Sequence, residues 1–282
     1  MPHPFGEDIE LRRRILTFLS EQTLPRIVRL TMPLFVPDDR GKAQLVASSV
    51  ILRIGPARVL VTATHVVNDW PGIAINVGDA LLQVRGQHAT IYTNGTRAGS
   101  PEDKLDLSLI RLDPALAERI LPFNVTSLAD LDLTTPVVGQ DPFVLGGYPE
   151  RRNRDGLKGE QFTAHAYALL MHDGEQALYD AIGADSASQL ALPFERNDVW
   201  EIERQVTAPN LEGISGGGLW RVPIDEAPAR ETRLAAIAVE QHQKGGNRHV
   251  LATRIRKVLS TLHQLYGDLR QPLEAEYRDI VA

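Results

Sequence analysis

Residues 211–220 read Leu-Glu-Gly-Ile-Ser-Gly-Gly-Gly-Leu-Trp and place Ser215 between glycines on both sides. Glycine has no Cβ, so it lets the backbone turn tightly and lets a substrate carbonyl approach closely. Such a turn also leaves main-chain N–H groups available to a developing oxyanion. Ser215 is therefore a candidate nucleophile. Glycine-rich turns that contain serine are common, so this one needs a base and an orienting carboxylate elsewhere in the chain.

The composition limits the function classes that Ser215 could belong to. The chain has 282 residues, 43% of them hydrophobic, which is enough for one large core or two small ones. Its formal net charge is −6, which does not indicate a nucleic-acid surface. The absence of cysteine excludes disulfides, thiol catalysis and most structural zinc sites. We expect no metal site, because the sequence has no metal-binding motif.

The expected location is the cytoplasm. The N-terminus has no basic stretch followed by an apolar run, so it does not resemble a secretion signal. No apolar run approaches the roughly 20 residues that span a bilayer. We therefore expect neither a membrane nor a nucleic acid among the partners.

Two earlier segments supply the base and the carboxylate. His65 stands at the end of the apolar run Val59-Leu60-Val61-Thr62-Ala63-Thr64-His65. Asp106 directly precedes a second apolar run, residues 107–112. Asp103 competes with it, and Asp106 is favoured because the apolar run begins at its next residue. The order along the chain is thus His65, Asp106, Ser215.

These three segments resemble the trypsin-like serine peptidases of the chymotrypsin superfamily, in their cysteine-free bacterial form. That family carries Thr-Ala-x-His, then Asp-aliphatic-small-Leu-aliphatic, then Gly-x-Ser-Gly-Gly. Residues 62–65, 106–110 and 213–217 match these motifs in the same order. The order His, Asp, Ser separates this family from other triad folds. The similarity extends over roughly residues 26–266 and includes Gly146-Gly147-Tyr148-Pro149, a segment like one in the second barrel of bacterial members.

The resemblance implies an all-β fold of two six-stranded antiparallel β-barrels, with the active site in the crevice between them. The pattern of short strands and frequent turns agrees, and Gly55-Pro56 between two apolar runs predicts a hairpin at residues 46–62. Strands are also predicted at residues 26–30, 73–77, 81–84, 90–92, 107–112, 142–149, 162–171, 199–206, 218–222 and 234–239. Residues 180–189 are predicted to be a charged loop. The expected division is a helical extension at 1–25, the first barrel and connector at 26–135, the second barrel at 136–252, and a helix and tail at 253–282.

The chemistry implied by the resemblance is that of a serine endopeptidase acting on a protein or peptide substrate without a cofactor. Ser215 would be the nucleophile, His65 the general base, and Asp106 the group that orients His65. The N–H groups of Gly213 and Ser215 would form the oxyanion hole.

Ile214 departs from the pattern of secreted members that are activated by cleavage. Those proteins carry an aspartate before the serine, which pairs with the newly formed N-terminal amine. We therefore do not expect that activation route. An activating protein partner or a rearrangement of the Gly213 loop are the alternatives.

The candidate substrate pocket is also unlike that of trypsin. Trypsin has an aspartate six residues before the serine, where this chain has Pro209. The other candidate pocket residues are Glu212 and Glu240, which would favour basic side chains. The charged loop at residues 151–158 leaves open a preference for acidic substrates.

Two other functions compete with the peptidase. The chain could be a catalytically silent trypsin-like domain that acts as a binding or regulatory module. Residues 213–217 also match the Gly-x-Ser-x-Gly turn of α/β-hydrolases. That fold requires a helix directly after the serine and an acid and a histidine downstream. The three glycines after Ser215 are a poor helix start, which disfavours the hydrolase.

Overall fold

The computed structural model describes residues 17–38, 42–78, 80–134, 142–153, 166–194, 199–200, 205–208, 210–222, 232–244 and 247–276. The strands in these ranges form mainly two largely antiparallel sheets, which share one apolar core. The helical extension predicted at residues 1–25 lies mainly outside the described residues.

The first sheet is built from the N-terminal half of the chain. Its strands lie in the order β5-β4-β1-β2-β3-β7-β6, and the short β8 pairs with β2 in parallel. The sheet therefore has eight strands where six were expected, and one of the eight, β8, has only two residues. The strands are β1 (Thr31–Pro37), β2 (Ala43–Ile54), β3 (Ala57–Ala63), β4 (Ala74–Val77), β5 (Ala80–Gln83), β6 (Gly86–Ile91), β7 (Leu107–Leu112) and β8 (Thr126–Ser127).

The predicted hairpin at Gly55-Pro56 is confirmed as β2 and β3. Ile54 pairs with Ala57, and Gly55 takes the left-handed conformation that the tight turn requires. Side chains alternate between the two faces of β3. Val59 and Val61 face the core shared with the second sheet, whereas Leu60 faces a separate apolar cluster within the first half.

The second sheet has six strands, the predicted number, in the order β10-β9-β14-β15-β16-β11. Two further strands, β12 and β13, pair only with each other. The strands of the second half are β9 (Pro142–Gly147), β10 (Tyr167–His172), β11 (Gln189–Pro193), β12 (Val199–Trp200), β13 (Gln205–Val206), β14 (Gly218–Arg221), β15 (Arg233–Lys244) and β16 (Asn247–Arg254). Strand β11 was missed, because its short apolar run ends at Pro193 and directly follows the predicted charged loop.

The strand predicted at residues 26–30 is wrong, because this segment is helical. A π-helical turn (Leu19–Thr23) leads into helix α1 (Leu24–Leu30), and strand β1 begins only at Thr31. Ile27 and Leu30 are three residues apart and both buried, which places them on one face of the helix. Pro25 occupies the first turn, where its missing N–H costs no hydrogen bond.

The C-terminal helix is confirmed and seals the core. Its residues Ile255, Val258, Leu259 and Leu262 are all fully buried at helical spacing. They join one apolar cluster with residues from both sheets. None of the described helices is both long enough and apolar enough to cross a membrane. After α1 the helices are α2 (Thr64–Asp69), α3 (Pro114–Ala117), α4 (Glu150–Asn153), α5 (Gln176–Ile182), α6 (Ile255–Leu265) and α7 (Gly267–Glu276).

Truncating Leu262 on α6 should destabilise the whole fold. Its side chain is 0% exposed, so Leu262→Ala should lower the free energy of unfolding by about 2–5 kcal/mol. Leu265 on the same helix is 53% exposed, so Leu265→Ala should change it by less than about 0.5 kcal/mol. Urea denaturation followed by circular dichroism measures both. Equal effects of the two substitutions would contradict the packing of α6 against the two sheets.

Candidate active site

The pairing of β3 with β7 brings His65 and Asp106 together. Ala63 at the end of β3 pairs with Leu107 at the start of β7. His65 follows Ala63 by two residues, in the first turn of α2, and Asp106 directly precedes Leu107. The Thr64 N–H donates to the Asp106 carbonyl at 2.9 Å, which extends the strand pairing to the site itself.

The Asp106 carboxylate holds His65 at two points. His65 Nδ1 lies 2.5 Å from Asp106 Oδ2, and the His65 backbone N–H donates to Oδ1 at 3.0 Å. A carboxylate accepts hydrogen bonds, so this contact places the ring proton on Nδ1 and leaves Nε2 as the basic nitrogen. Asp106 is only 2% exposed, and burial raises its pKa, although the hydrogen bonds from His65 offset part of that rise. The pair has the geometry of a histidine base with its orienting carboxylate.

Asp103, unlike Asp106, binds backbone N–H groups of the surrounding loop. Its buried carboxylate accepts hydrogen bonds from the backbone N–H groups of Thr93, Gly99, Leu105 and Asp106, at 2.8–3.2 Å. These bonds fold the loop that leads into β7. They also hold Asp106 in an unusual backbone conformation, with φ of 35°. Asp103 therefore shapes the turn, while Asp106 contacts His65.

The loop around Ser215 belongs to the second sheet but packs directly on the first. The Ser48 N–H on β2 donates to the Ser215 carbonyl at 2.9 Å. A Cβ on Gly216 would lie 2.0 Å from the Ser48 carbonyl oxygen and 2.4 Å from Thr62 Oγ1. Thr62 lies on β3, three residues before His65. The structure thus places the Ser215 loop against the strand that leads into His65.

Two N–H groups beside Ser215 remain available. The Glu212 carbonyl accepts a hydrogen bond from the Glu150 N–H at 2.8 Å. Because the peptide bond is planar and trans, the Gly213 N–H points away from Glu150. No described residue accepts a hydrogen bond from the N–H of Gly213 or of Ser215. These are the two donors that an oxyanion hole at this position requires.

The structure describes the candidate pocket residues only in part. Pro209 lies outside the described residues, and for Glu240 only the backbone, within β15, is described. Glu212 is exposed next to the loop. Ile214 is buried, and its side chain lies where a Cβ on Gly147 would stand.

Within the described ranges, no three histidine, aspartate or glutamate side chains are grouped so that they could hold a metal ion.

Sequence reasoning overlooked Ser48, which contacts the Ser215 loop from β2. The available signal was the pair Ser48-Ser49 inside an otherwise apolar strand. Both serines are fully buried, and buried hydroxyl groups need hydrogen-bond partners.

Comparison with known proteins supports the fold. No protein-family model matches this chain, and no curated protein matches its sequence. Among solved structures, neuropsin, a serine protease expressed in the limbic system of mouse brain, matches with a TM-score of 0.54 and 16% identity over 86% of this chain and 96% of its own. An HtrA-type protease, AlgW, matches in two structures with a tripeptide, each with a TM-score of 0.48, at 15% and 14% identity over 86% and 93% of this chain. The match covers 63% and 65% of the AlgW chains in those two structures. The similarity to neuropsin confirms the predicted fold, a chymotrypsin-like double β-barrel.

Adding a methyl group at Gly216 should disrupt the site. Gly216→Ala imposes both a backbone conformation with φ of 85° and a clash with Ser48 and Thr62. Gly95 is the matched control, because its φ is 83° and nothing lies within 4 Å of a Cβ there. Gly95→Ala should lower the free energy of unfolding by about 1–2 kcal/mol. Gly216→Ala should lower it by at least about 2 kcal/mol more, since backbone atoms of β2 must move. Denaturant titration of both variants measures the difference, and equal losses would contradict the close contact between the loop and β2.

Proposed function

We propose that this chain is a serine endopeptidase that cleaves peptide bonds in a protein or peptide substrate through His65, Asp106 and Ser215. The observation that carries the proposal is the contact of His65 Nδ1 with the buried Asp106 carboxylate. This contact gives His65 the tautomer of a general base. The Ser215 loop, packed against the same strand, supplies the nucleophile.

The reaction proceeds in two halves. Ser215 Oγ attacks the substrate carbonyl carbon while its proton passes to His65 Nε2. The C–N bond then breaks, and His65 returns the proton to the departing amine, which leaves an acyl group on Ser215. Water, deprotonated by His65, releases the acyl group as a carboxylic acid and restores Ser215. Asp106 stabilises the imidazolium that forms in each half.

The free N–H groups of Gly213 and Ser215 suit the negative charge that develops on the carbonyl oxygen. Both belong to the loop that carries the nucleophile, so they approach the oxyanion as Oγ forms its bond. Donors of this kind contribute about 3–4 kcal/mol each to the stability of the transition state. The serine protease activity of neuropsin, whose fold this chain shares, supports the same assignment.

Specificity and control remain predictions. Pro209, Glu212 and Glu240 are the proposed pocket residues, and the glutamates would favour basic side chains. An activating protein partner, a cytoplasmic location and catalysis without a cofactor complete the proposal.

A fluorophosphonate probe tests the nucleophile. The wild-type protein should be labelled on Ser215, and Ser215→Ala should lose the label while remaining folded, because the probe reacts with an activated serine hydroxyl. Ser260→Ala is the matched control, since the Ser260 hydroxyl only bonds the Lys257 carbonyl within α6. Intact-protein mass spectrometry and peptide mapping measure the adduct. A folded wild-type protein that is never labelled, even with its natural partners present, would favour the catalytically silent binding module.

Substitutions of the two buried aspartates should separate their roles. Asp106→Asn should lower the labelling rate by about 10⁴-fold, because an amide favours the wrong His65 tautomer. Asp103→Asn should instead lower mainly the free energy of unfolding, by about 1.5–3 kcal/mol, because one amide oxygen cannot replace two carboxylate oxygens. Labelling kinetics and denaturant titration of both variants give the comparison. The opposite ranking would assign the orienting role to Asp103.

The free energy of unfolding should depend on pH differently in wild type and in Asp106→Asn. The folded-state pKa of Asp106 is raised above the ordinary value of 3.8. Its contribution to stability is therefore complete below that value and is lost as the pH rises through the folded-state pKa. Asp106→Asn should lack this loss, which denaturant titrations at a series of acidic pH values measure. An unchanged pH dependence would contradict the raised pKa.

A further inference from the structure

Ser48 is fully buried on β2 and contacts three separate parts of the site. Its backbone N–H donates to the Ser215 carbonyl at 2.9 Å, and its carbonyl accepts from Thr62 Oγ1 at 2.8 Å. Its hydroxyl donates to the Gly213 carbonyl at 2.9 Å and accepts from the Tyr148 N–H at 2.9 Å. Any residue at this position would make the backbone contacts, but only a hydroxyl can make the other two together.

The two hydroxyl contacts act on the peptide units beside the Gly213 N–H. The preceding carbonyl, of Glu212, is held by the Glu150 N–H. The following carbonyl, of Gly213, is held by Ser48 Oγ. The Gly213 N–H lies between these two anchored carbonyls, so its direction is set from both sides.

The packing around Gly213 leaves little room for another arrangement. Gly213 has a φ of 87°, and a Cβ there would lie 2.8 Å from both the Glu150 nitrogen and the Tyr148 carbonyl oxygen. Residues 148–150 therefore press against Gly213 and also bind it through Ser48 and Glu212. Loss of the Ser48 hydroxyl leaves the Gly213 carbonyl and the Tyr148 N–H without this partner in a buried place, and the loop relaxes to satisfy them.

We infer that Ser48, through its hydroxyl, is a positioning residue that orients the Gly213 N–H for oxyanion binding. The inference rests on the proposed peptidase function and deepens it. Ser48 is fully buried and acts through Gly213 rather than on the substrate.

Helix α1 anchors the same segment from the other side. The Tyr148 hydroxyl lies within hydrogen-bond distance of the carbonyls of Val28, at 3.3 Å, and Thr31, at 3.2 Å. Tyr148 therefore joins the end of α1 to Ser48 and, through it, to Gly213. Because α1 and Thr31 hold Tyr148 in place, the Tyr148 N–H can fix the position of the Ser48 hydroxyl, which in turn binds the Gly213 carbonyl.

The test compares Ser48→Ala with Ser49→Ala. Ser49 is also fully buried on β2, but its hydroxyl donates to the Met32 carbonyl, within the first sheet and away from the loop. We expect Ser48→Ala to lower the maximum labelling rate of Ser215 by a fluorophosphonate about 10- to 100-fold, because removal of a whole oxyanion donor costs about 10²–10³. Ser49→Ala should stay within about threefold of wild type, although it too removes a buried hydroxyl and its hydrogen bond. Rates are normalised to the folded fraction measured by circular dichroism.

Two further measurements distinguish positioning from a general loss of structure. The downfield proton resonance of His65 Nδ1–H should be unchanged in Ser48→Ala, because the substitution does not touch the pair of His65 and Asp106. The probe concentration that gives the half-maximal labelling rate should also stay near that of wild type. The substitution would then lower the maximum labelling rate and leave probe binding unchanged. If Ser48→Ala does not fold, Ser48→Cys keeps the size of the side chain with a weaker donor and should show the same loss. Ser48→Thr, which keeps the hydroxyl, should label faster than either variant.

The outcomes separate the two proposals. If wild type is not labelled, the peptidase function fails. If wild type is labelled and the Ser48 variants label as fast as Ser49→Ala, the peptidase stands and the positioning role of Ser48 is wrong. Loss of the His65 resonance in the Ser48 variants would also overturn the inference, since the effect would then extend beyond the oxyanion hole.

Discussion

The candidate site depends on one close approach, that of Gly216 to the Ser48 carbonyl. The two halves of the chain form separate sheets, and the proposed catalysis needs side chains from both. The contact occupies the space of a Cβ, which would lie 2.0 Å from that carbonyl oxygen. Because Gly216 has no side chain, the second sheet can bring Ser215 against β3, the strand that leads into His65. The hydrogen bond from the Ser48 N–H to the Ser215 carbonyl then holds the loop at a fixed distance from β2.

Strand pairing explains why Asp106 contacts His65 whereas Asp103 binds the backbone of the loop before β7. Asp106 precedes the first residue of β7, where β3 ends beside it, so its carboxylate meets the first turn of α2. Asp103 stands three residues earlier, where the chain has not yet joined the sheet and its N–H groups lack strand partners. A buried carboxylate there replaces the missing partners of four N–H groups, in keeping with the need of buried polar groups for hydrogen bonds. One carboxylate thus stabilises the loop, and the other is left for His65.

The sequence was most informative where a pattern was local. Gly55-Pro56 between apolar runs located a hairpin, and the spacing of Ile255, Val258, Leu259 and Leu262 located α6. Local pattern failed for residues 26–30, where Ile27 and Val28 favour a strand in isolation. The burial of Ile27 against Gly146 of β9 is a long-range contact, and it decides for a helix. Asp103 and Asp106 could be ranked from their distance to β7 along the chain. The role of Ser48 could not be predicted, because the partners of its hydroxyl lie 100 residues or more away in the chain.

The described contacts that hold the loop carrying Ser215 are made by neutral groups. The position before the serine is Ile214, which packs in an apolar cluster, and the peptide at Gly213 is anchored by Glu150 N–H and Ser48 Oγ. The described hydrogen bonds of the loop do not involve a free amine. The orientation of the loop depends instead on residues 148–150, which α1 supports through the Tyr148 hydroxyl. A protein that controlled the proposed oxyanion hole could therefore act by moving α1 or residues 148–150, which support Gly213 together with Ser48.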